Sequence, residues 1–180
     1  LAMNEAGAVG KITLTTDDNA TKAQATGTTS VNDGSWHHVV GLRIGDKIRV
    51  HVDGDVFEAE ATLPAGYDLS GTSQRQGVIG AGFREDTGTT HNHFPGKIDD
   101  VRIYDRALSA LEIATIHGSR GVNRIVSGLV GKWLMNEGAP GVVASGSGLN
   151  KDISNQGNNR TPTNGPTFTD GILRFRRKVS

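Results

Sequence analysis

The sequence contains no cysteine among its 180 residues. No disulfide can therefore cross-link the fold, and no thiolate is available for catalysis or for binding zinc. An excess of charge of either sign is also missing, because 19 Lys and Arg residues balance 19 Asp and Glu residues. Long apolar runs are absent as well, and none approaches the length of a membrane-spanning helix. We therefore expect neither nucleic-acid binding nor membrane insertion.

Aromatic residues and helical patterns are scarce, whereas glycine is abundant. Phe, Trp and Tyr make up 5% of the chain, and 25 residues are glycine. This composition favours many short strands joined by tight turns, which is an all-β fold. Sugar sites need aromatic platforms. We expect Trp36 and Trp133 to lie in the core, which leaves Tyr67, Tyr104 and Phe83 as the exposed rings.

A central hairpin is predicted by alternating apolar and polar residues. A strand at 36–44 is followed by the turn Gly45-Asp46 and by a strand at 47–53, and two turn residues between alternating runs are typical of a hairpin. Side chains alternate between the two faces of such a strand. We expect one face of the second strand to lie in the core, formed by Ile48, Val50 and Val52. We expect the other face to contact solvent, formed by Lys47, Arg49, His51 and Asp53.

Further β-rich runs flank this hairpin on both sides. In chain order they are residues 10–16, 22–30, 55–61, 77–83, 97–104, 129–135 and 172–179, with a polar loop at 84–93. One convincing helix is predicted at 109–116. Ser109 and Glu112 have the spacing of a reciprocal capping box, and Gly118 is expected to stop this helix.

An ordered succession of motifs carries a family resemblance. The motifs are GSWHHVV at 34–40, VHVDG at 50–54, VIG at 78–80, FPGKIDDVRIYDRALS at 94–109 and EI at 112–113. This succession resembles the laminin-G-like, concanavalin-A-like lectin/glucanase superfamily over residues 8–117. The resemblance implies a jelly roll of two antiparallel sheets. It implies no single activity, because this fold carries lectins, adhesion modules, glycanases and structural parts of virion or cell surfaces.

Residues 128–176 resemble the opening of the same family pattern. In this chain, the opening part therefore comes after the later part of the pattern, which residues 8–117 resemble. We therefore expect a lectin-like core at 1–120 and a C-terminal segment at 121–180 that completes a sandwich, with a boundary near 120–127. Three arrangements stay open: a circularly permuted single sandwich, two incomplete domains cut from a longer chain, and strands exchanged between subunits. The first residue, Leu1, is not Met, which fits a fragment or a processed chain.

Carboxylates of the kind used by glycanases are sparse. Such enzymes place two carboxylates close together, because a nucleophile and an acid/base must flank one glycosidic bond. The nearest match is the run Asp53-Gly54-Asp55-Val56-Phe57-Glu58. Since Asp53-Gly54 falls where the chain must reverse, these carboxylates should not share one strand face. We therefore expect no enzymatic activity.

Metal ligands are suggested at three places. His91 and His93 lie two residues apart, but no third ligand is evident near them, so we interpret them as polar loop residues. The segments 17–19 and 152–159 are rich in the Asp and Asn oxygens that calcium prefers. Because Asp and Asn are also ordinary turn residues, solvated turns are the favoured alternative to a calcium site.

Two further charged groups have structural explanations. Asp99 and Asp100 are expected to bond to neighbouring backbone amides or to Arg102 and Arg106. A basic C-terminal strand is formed by Arg174, Arg176, Arg177 and Lys178. Basic residues on an edge strand usually prevent edge-to-edge pairing, and docking on an acidic partner is the alternative.

The sequence as a whole predicts an all-β, antiparallel two-sheet jelly-roll sandwich with one short peripheral helix. We expect a non-catalytic binding or adhesion module on an extracellular, cell or virion surface, with a glycan or a surface protein as its partner. The alternative is a structural component of a repeating surface assembly that associates with neighbouring subunits. A glycan-active hydrolase is the least favoured function. No cofactor is expected beyond the calcium ion considered above.

Overall fold

The computed structural model describes residues 2–3, 9–17, 21–54, 56–67, 77–84, 87–119, 122, 125–144, 150–162 and 165–168. These ranges contain the following strands and helix: β1 Ala2–Met3, β2 Ile12–Asp17, β3 Lys22–Thr26, β4 Val39–Ile44, β5 Lys47–Val52, β6 Phe57–Thr62, β7 Gly82–Arg84, β8 Thr89–His91, β9 Val101–Tyr104, α1 Ala110–Ser119 and β10 Leu129–Trp133. The chain forms two compact units. Unit 1 comprises residues 1–93 and 107–118, and unit 2 comprises residues 94–106 and 119–180.

Unit 1 contains two three-stranded antiparallel sheets, in the orders β1-β2-β3 and β4-β5-β6. Apolar side chains from both sheets form one core, whose buried members are Ile12, Ala23, Ala25, Ile48, Val50, Val52 and Leu63. The sheets thus face each other across this core, as expected of a sandwich. The predicted antiparallel all-β fold with one short helix is confirmed.

The predicted hairpin is confirmed as β4 and β5, which pair from Val39↔Val52 to Ile44↔Lys47. Gly45 begins the turn with a φ of 59°, a conformation that glycine adopts without strain. The core face of β5 is buried as expected, but the prediction that His51 lies on a wet face is wrong, since only 5% of it is exposed. A register shift between Val50 and His51 places His51 opposite Phe57, and the two rings meet edge to face at 6.2 Å.

The segment at 84–93 is not wholly a loop. Strand β8 lies within it and pairs with β7, with Gly82 opposite His91 and Arg84 opposite Thr89. Gly88, with a φ of 64°, allows the chain to reverse between them. The expected polar loop therefore contains the second strand of a short hairpin.

Helix α1 begins with the predicted capping box. The Ser109 amide and hydroxyl both donate to Glu112 Oε2, at 2.9 and 3.0 Å, and the Glu112 amide donates back to Ser109 Oγ at 3.3 Å. The helix does not stop at Gly118 as predicted but continues through Ser119. No helix within the described ranges is long and apolar enough to cross a membrane.

Unit 2 is built around the antiparallel pair of β9 and β10, in which Val101 lies opposite Trp133. Trp133 is 1% exposed, which confirms its predicted place in a core. Two isolated bridges, Val143↔Thr167 and Asn150↔Arg160, tie the following polar segment together. Because β9 precedes residue 120, unit 2 draws on both sides of the expected boundary, and the division at 120–127 stays a prediction. The predicted strand at 172–179 and its basic residues lie outside the described residues.

Candidate functional site

The loop that precedes β4, residues 33–38, is held in place by two aspartates and is called the rim loop below. Asp33 Oδ1 accepts a hydrogen bond from the Ser35 amide at 2.8 Å. His37 lies between the two carboxylates, with Nε2 3.0 Å from Asp33 Oδ1 and Nδ1 2.6 Å from Asp53 Oδ2. The His38 amide donates to Asp53 Oδ1 at 2.8 Å. Asp53 thus joins the rim loop to the end of β5.

The neighbouring opposite charges shift the pKa values of His37 and Asp33. Burial lowers the pKa of His37, but the hydrogen bonds to Asp33 and Asp53 and their negative charges outweigh it, so the pKa is raised above its usual 6.5. The hydrogen bond from His37, followed by that from the Ser35 amide, lowers the pKa of Asp33 below 3.8. His37 and Asp33 therefore favour each other's charged forms.

Trp36 is 40% exposed, so the prediction that it belongs to the core is wrong. Strand β4 begins only at Val39, and Trp36 lies in the rim loop, where the two-residue alternation of a strand does not apply. The flanking residues Ser35 and His37 both bond to Asp33. The loop therefore displays a large aromatic ring on a backbone that is fixed on both sides.

A second contact supports the rim loop from helix α1. The rings of His38 and His117 stack with their centroids 5.6 Å apart and an interplanar angle of 8°. His117 lies in the last turn of α1. The helix thus supports the C-terminal end of the rim loop, where it enters β4.

The carboxylates of the glycanase-like run are engaged in structural hydrogen bonds. Asp53 has a φ of 55° at the end of β5 and holds the rim loop, as described above. Glu58 Oε2 accepts from the Thr28 and Thr29 amides at 2.8 and 3.0 Å, and Oε1 accepts from the Thr29 hydroxyl. Burial raises the pKa of Glu58, but these hydrogen bonds outweigh it and lower the pKa. Asp55 lies outside the described residues.

The predicted metal ligands do not assemble into a site in the part of the chain that the structure describes, where no three His, Asp or Glu side chains cluster suitably for an ion. His91 lies in β8 with its ring against Gly82, and His93 Nε2 is 3.2 Å from Thr90 Oγ1. Asp17 ends β2, and residues 18 and 19 lie outside the described residues. The described members of these candidates, His91, His93 and Asp17, thus lie at strand and side-chain contacts.

The other calcium candidate is the segment 152–159, which together with Arg160 is called the Asp152 loop below. Asp152 Oδ1 accepts from the Lys132 and Ser154 amides at 2.9 and 2.8 Å, and Oδ2 accepts from the Asn158 amide at 2.9 Å. Burial raises the pKa of Asp152, but the hydrogen bond from the Ser154 side chain and those from the three backbone amides outweigh it and lower the pKa to about 2. The Asp152 carboxylate thus fixes the backbone of this loop, and a calcium site here stays a prediction.

The Asp152 loop covers Trp133. Its Asn158 carbonyl accepts a hydrogen bond from Trp133 Nε1 at 2.9 Å, and the Arg160 guanidinium lies 5.0 Å from the centre of the indole ring. A buried indole N–H normally requires such a partner. The Asp152 loop therefore shields Trp133 from solvent and satisfies its indole N–H.

Asp99 and Asp100 take the structural roles predicted for them. Asp99 Oδ1 accepts from the Asp100 amide at 2.8 Å. Asp100 binds the guanidinium of Arg102 with both oxygens, at 2.9 and 2.7 Å. The Nε of Arg106 donates to the Ser127 carbonyl at 3.0 Å.

The tyrosines predicted as exposed rings are half-buried. The Tyr104 hydroxyl donates to the Ile125 carbonyl at 3.1 Å. Tyr67 packs against the core of unit 1 and lines a shallow groove of about 610 Å³ beside Arg43, whose guanidinium carbon lies 6.0 Å from the ring centre. The side chain of Phe83 is outside the described set. Trp36, which sequence patterning had assigned to the core, is thus more exposed than either tyrosine, and Phe57 of β6 is exposed to a similar degree, at 43%.

The facing antiparallel sheets and the polar rim define a β-sandwich module of the concanavalin-A-like class. The family model described as the concanavalin A-like lectin/glucanases superfamily matches residues 2–114. The chain therefore belongs to this superfamily. Membership supports a surface binding or assembly module and leaves the ligand open.

Three known proteins resemble parts of the chain. The rat and mouse forms of "Sushi, von Willebrand factor type A, EGF and pentraxin domain-containing protein 1" are each 29% identical over 105 residues, which cover 54% of this chain and 3% of the relative. The chain thus spans a small part of these relatives. The crystal structure of an S-layer domain-containing protein from Clostridium thermocellum is 30% identical, with 61% of this chain and 52% of that chain covered and a TM-score of 0.38.

Proposed function

We propose that the chain is a non-catalytic binding module that recognises carbohydrate through the rim loop, at a cell or particle surface. The observation that carries the proposal is the 40% exposure of Trp36 beside two aspartates. An exposed indole provides the flat apolar face on which a sugar ring stacks. Carboxylates near it supply acceptors for sugar hydroxyls.

Preorganisation of the rim loop supports this function. Binding is weakened when a flexible loop must be ordered, because the lost conformational freedom opposes association. Here, Asp33 and Asp53 fix the chain on both sides of Trp36 before any ligand arrives. The Asp33 side chain is nevertheless 51% exposed, so its carboxylate still faces solvent.

The absence of catalysis is part of the proposal. Retaining glycosidases need two carboxyl groups about 5 Å apart with access to one bond. Asp53 is engaged by His37 and the His38 amide, and Glu58 by Thr28 and Thr29. Both carboxylates therefore serve the local fold.

A glycan array tests the proposed function. The wild-type chain should bind one class of glycan, and Trp36→Ala should weaken that binding about tenfold, which corresponds to about 1.4 kcal/mol. Leu111→Ala is the matched control, because it removes an exposed apolar side chain from the surface of helix α1. An array without any binding, or equal weakening by both variants, would contradict carbohydrate recognition at the rim loop.

A second candidate function is a component of a repeating surface assembly. The observation that favours it is the number of exposed apolar side chains in unit 2, namely Ile103, Val122, Val126, Val130, Val142, Val143 and Ile153. Apolar surface of this kind marks contacts with other proteins when it is continuous. Sedimentation velocity across a hundredfold range of concentration tests it, since a component that assembles should form larger species and a pure binding module should not.

A further inference from the structure

The two nitrogens of the His37 ring each face a carboxylate oxygen of a different aspartate. Nδ1 lies 2.6 Å from Asp53 Oδ2, and Nε2 lies 3.0 Å from Asp33 Oδ1. An ionised carboxylate accepts hydrogen bonds and cannot donate them. Both contacts are therefore hydrogen bonds only if both ring nitrogens carry a proton, which is the imidazolium form.

Neutral His37 cannot maintain this arrangement. A neutral imidazole has one N–H and one lone pair, so one nitrogen would direct its lone pair at a carboxylate oxygen. The contact to Asp33 is the longer of the two, and Asp33 is more exposed than Asp53. Loss of the proton should therefore release the Asp33 side of the loop first, and with it the segment that carries Ser35 and Trp36.

The charges that act on His37 within the described residues are few. Asp33 of its own loop and Asp53 at the end of β5 are the charged groups that shift its pKa. The next residue, His38, faces His117 of helix α1. Both carboxylates favour the imidazolium, and burial opposes it.

We propose that His37 is a pH-sensitive latch that holds the rim loop closed as an imidazolium and loosens it when neutral. The raised pKa of His37 sets the sign: the latch contributes fully below the ordinary pKa of 6.5 and is lost as the pH rises through the higher folded value. The lowered pKa of Asp33 sets the acid limit, because the latch is lost again as the pH falls through a value below 3.8. Carbohydrate binding at Trp36 should therefore be strongest in mildly acidic solution, a consequence that rests on the proposed function.

Two measurements on the full chain without ligand test the latch. Nitrogen NMR shifts of the His37 ring should show both nitrogens protonated at pH 5, with a midpoint above 6.5. Acrylamide quenching should report Trp36, because Trp133 is 1% exposed and shielded. The quenching of Trp36 should rise through the same midpoint as the loop loosens.

Variants separate the latch from an unrelated pH effect. Asp33→Asn should lower the His37 midpoint and remove most of the quenching step, whereas His93→Gln, a histidine outside the rim loop whose Nε2 lies 3.2 Å from Thr90 Oγ1, should change neither. A wild-type midpoint at or below 6.5, or quenching that is flat through it, would overturn the latch without any variant. Failure to bind carbohydrate would refute the proposed function and leave both ligand-free results in place.

Discussion

The two tryptophans of this chain have opposite surroundings, although aspartates organise a loop beside each of them. Trp36 in unit 1 is 40% exposed, and Trp133 in unit 2 is 1% exposed. The Asp152 loop gives Trp133 a hydrogen-bond acceptor and a guanidinium over its ring. The rim loop instead uses its hydrogen bonds to fix the backbone around Trp36. One loop therefore covers its indole, and the other presents it.

The donors to the two sets of carboxylates also differ. Asp152 accepts from the Ser154 side chain and from backbone amides, groups that stay neutral from acidic to alkaline pH, and its pKa is lowered to about 2. Asp33 and Asp53 both accept from the ring of His37, which does titrate. The Asp152 loop therefore keeps its hydrogen bonds across the neutral pH range, whereas those of the rim loop depend on the protonation of His37.

The largest expected difference is in how much stability each tryptophan contributes, and the largest single loss should follow Trp133→Ala. Trp133→Ala should lower the free energy of unfolding of its unit by about 3–5 kcal/mol, because it removes a buried ring and leaves a cavity. Urea denaturation followed by circular dichroism measures the loss. A cost below about 1 kcal/mol would show that Trp133 is not the core residue that its burial indicates.

Overpacking at Gly131 should be the next largest effect. A Cβ atom at Gly131 would overlap Cη2 of the Trp133 ring, so the buried indole would have to move. Gly131→Ala should therefore cost about 1–3 kcal/mol in thermal or urea unfolding. Gly54→Ala is the control, because no atom lies within 4 Å of the added Cβ atom. Equal stability of the two variants would argue against the close approach of ring and strand.

Removing the charge of Asp152 should have a smaller effect. Asp152→Asn places an amide group where Oδ2 accepts from the Asn158 amide, so about 1–2 kcal/mol of stability should be lost at neutral pH. The lowered pKa sets the acid limit of the wild-type contribution: it is present above 3.8 and lost as the pH falls through about 2. The difference in unfolding free energy between wild type and variant should therefore persist at pH 5. A difference confined to pH values above 6 would contradict this assignment.

The fourth and weaker effect is a loss of stability at alkaline pH, which should come from the rim loop alone. The raised pKa of His37 means that its contribution is present below 6.5 and is lost as the pH rises through the folded value. Since both partner carboxylates are at least one-third exposed, this contribution is at most about 1 kcal/mol. The free energy of unfolding of the wild type should thus be lower at pH 8.5 than at pH 5.5, whereas that of His37→Gln should be the same at both pH values. A parallel fall in both proteins would assign the pH dependence elsewhere.

The smallest expected effect is that of Trp36→Ala on stability. An exposed side chain in a loop contributes little to packing, so the free energy of unfolding should change by no more than about 0.5 kcal/mol. Differential scanning calorimetry of wild type and variant checks this. A loss of several kcal/mol would place Trp36 in a core and remove the basis for carbohydrate recognition at the rim loop.

Parts of the site could be predicted from sequence and others could not. The turn at Asp53-Gly54 was predictable, because these are turn residues that directly follow an alternating strand. The pairing of His37 with Asp33 and Asp53 was missed, although the spacing of four residues between Asp33 and His37 was a local signal. Asp53 is sixteen residues from His37 in the chain, and only the antiparallel pairing of β4 with β5 brings them together.

By itself, the sequence determined the local structure: the β4–β5 hairpin from its alternation and turn residues, and the start of helix α1 from its capping box. Both depend on residues that are close in the chain. Only the tertiary structure decided which side chains are covered. His51 is buried because Phe57 of the neighbouring strand lies against it, and Trp36 is exposed because the described contacts hold the backbone beside it. A side chain is buried when residues that are distant in the chain pack against it. A two-residue period predicts on which face of a strand the side chain lies, but not which residues cover that face.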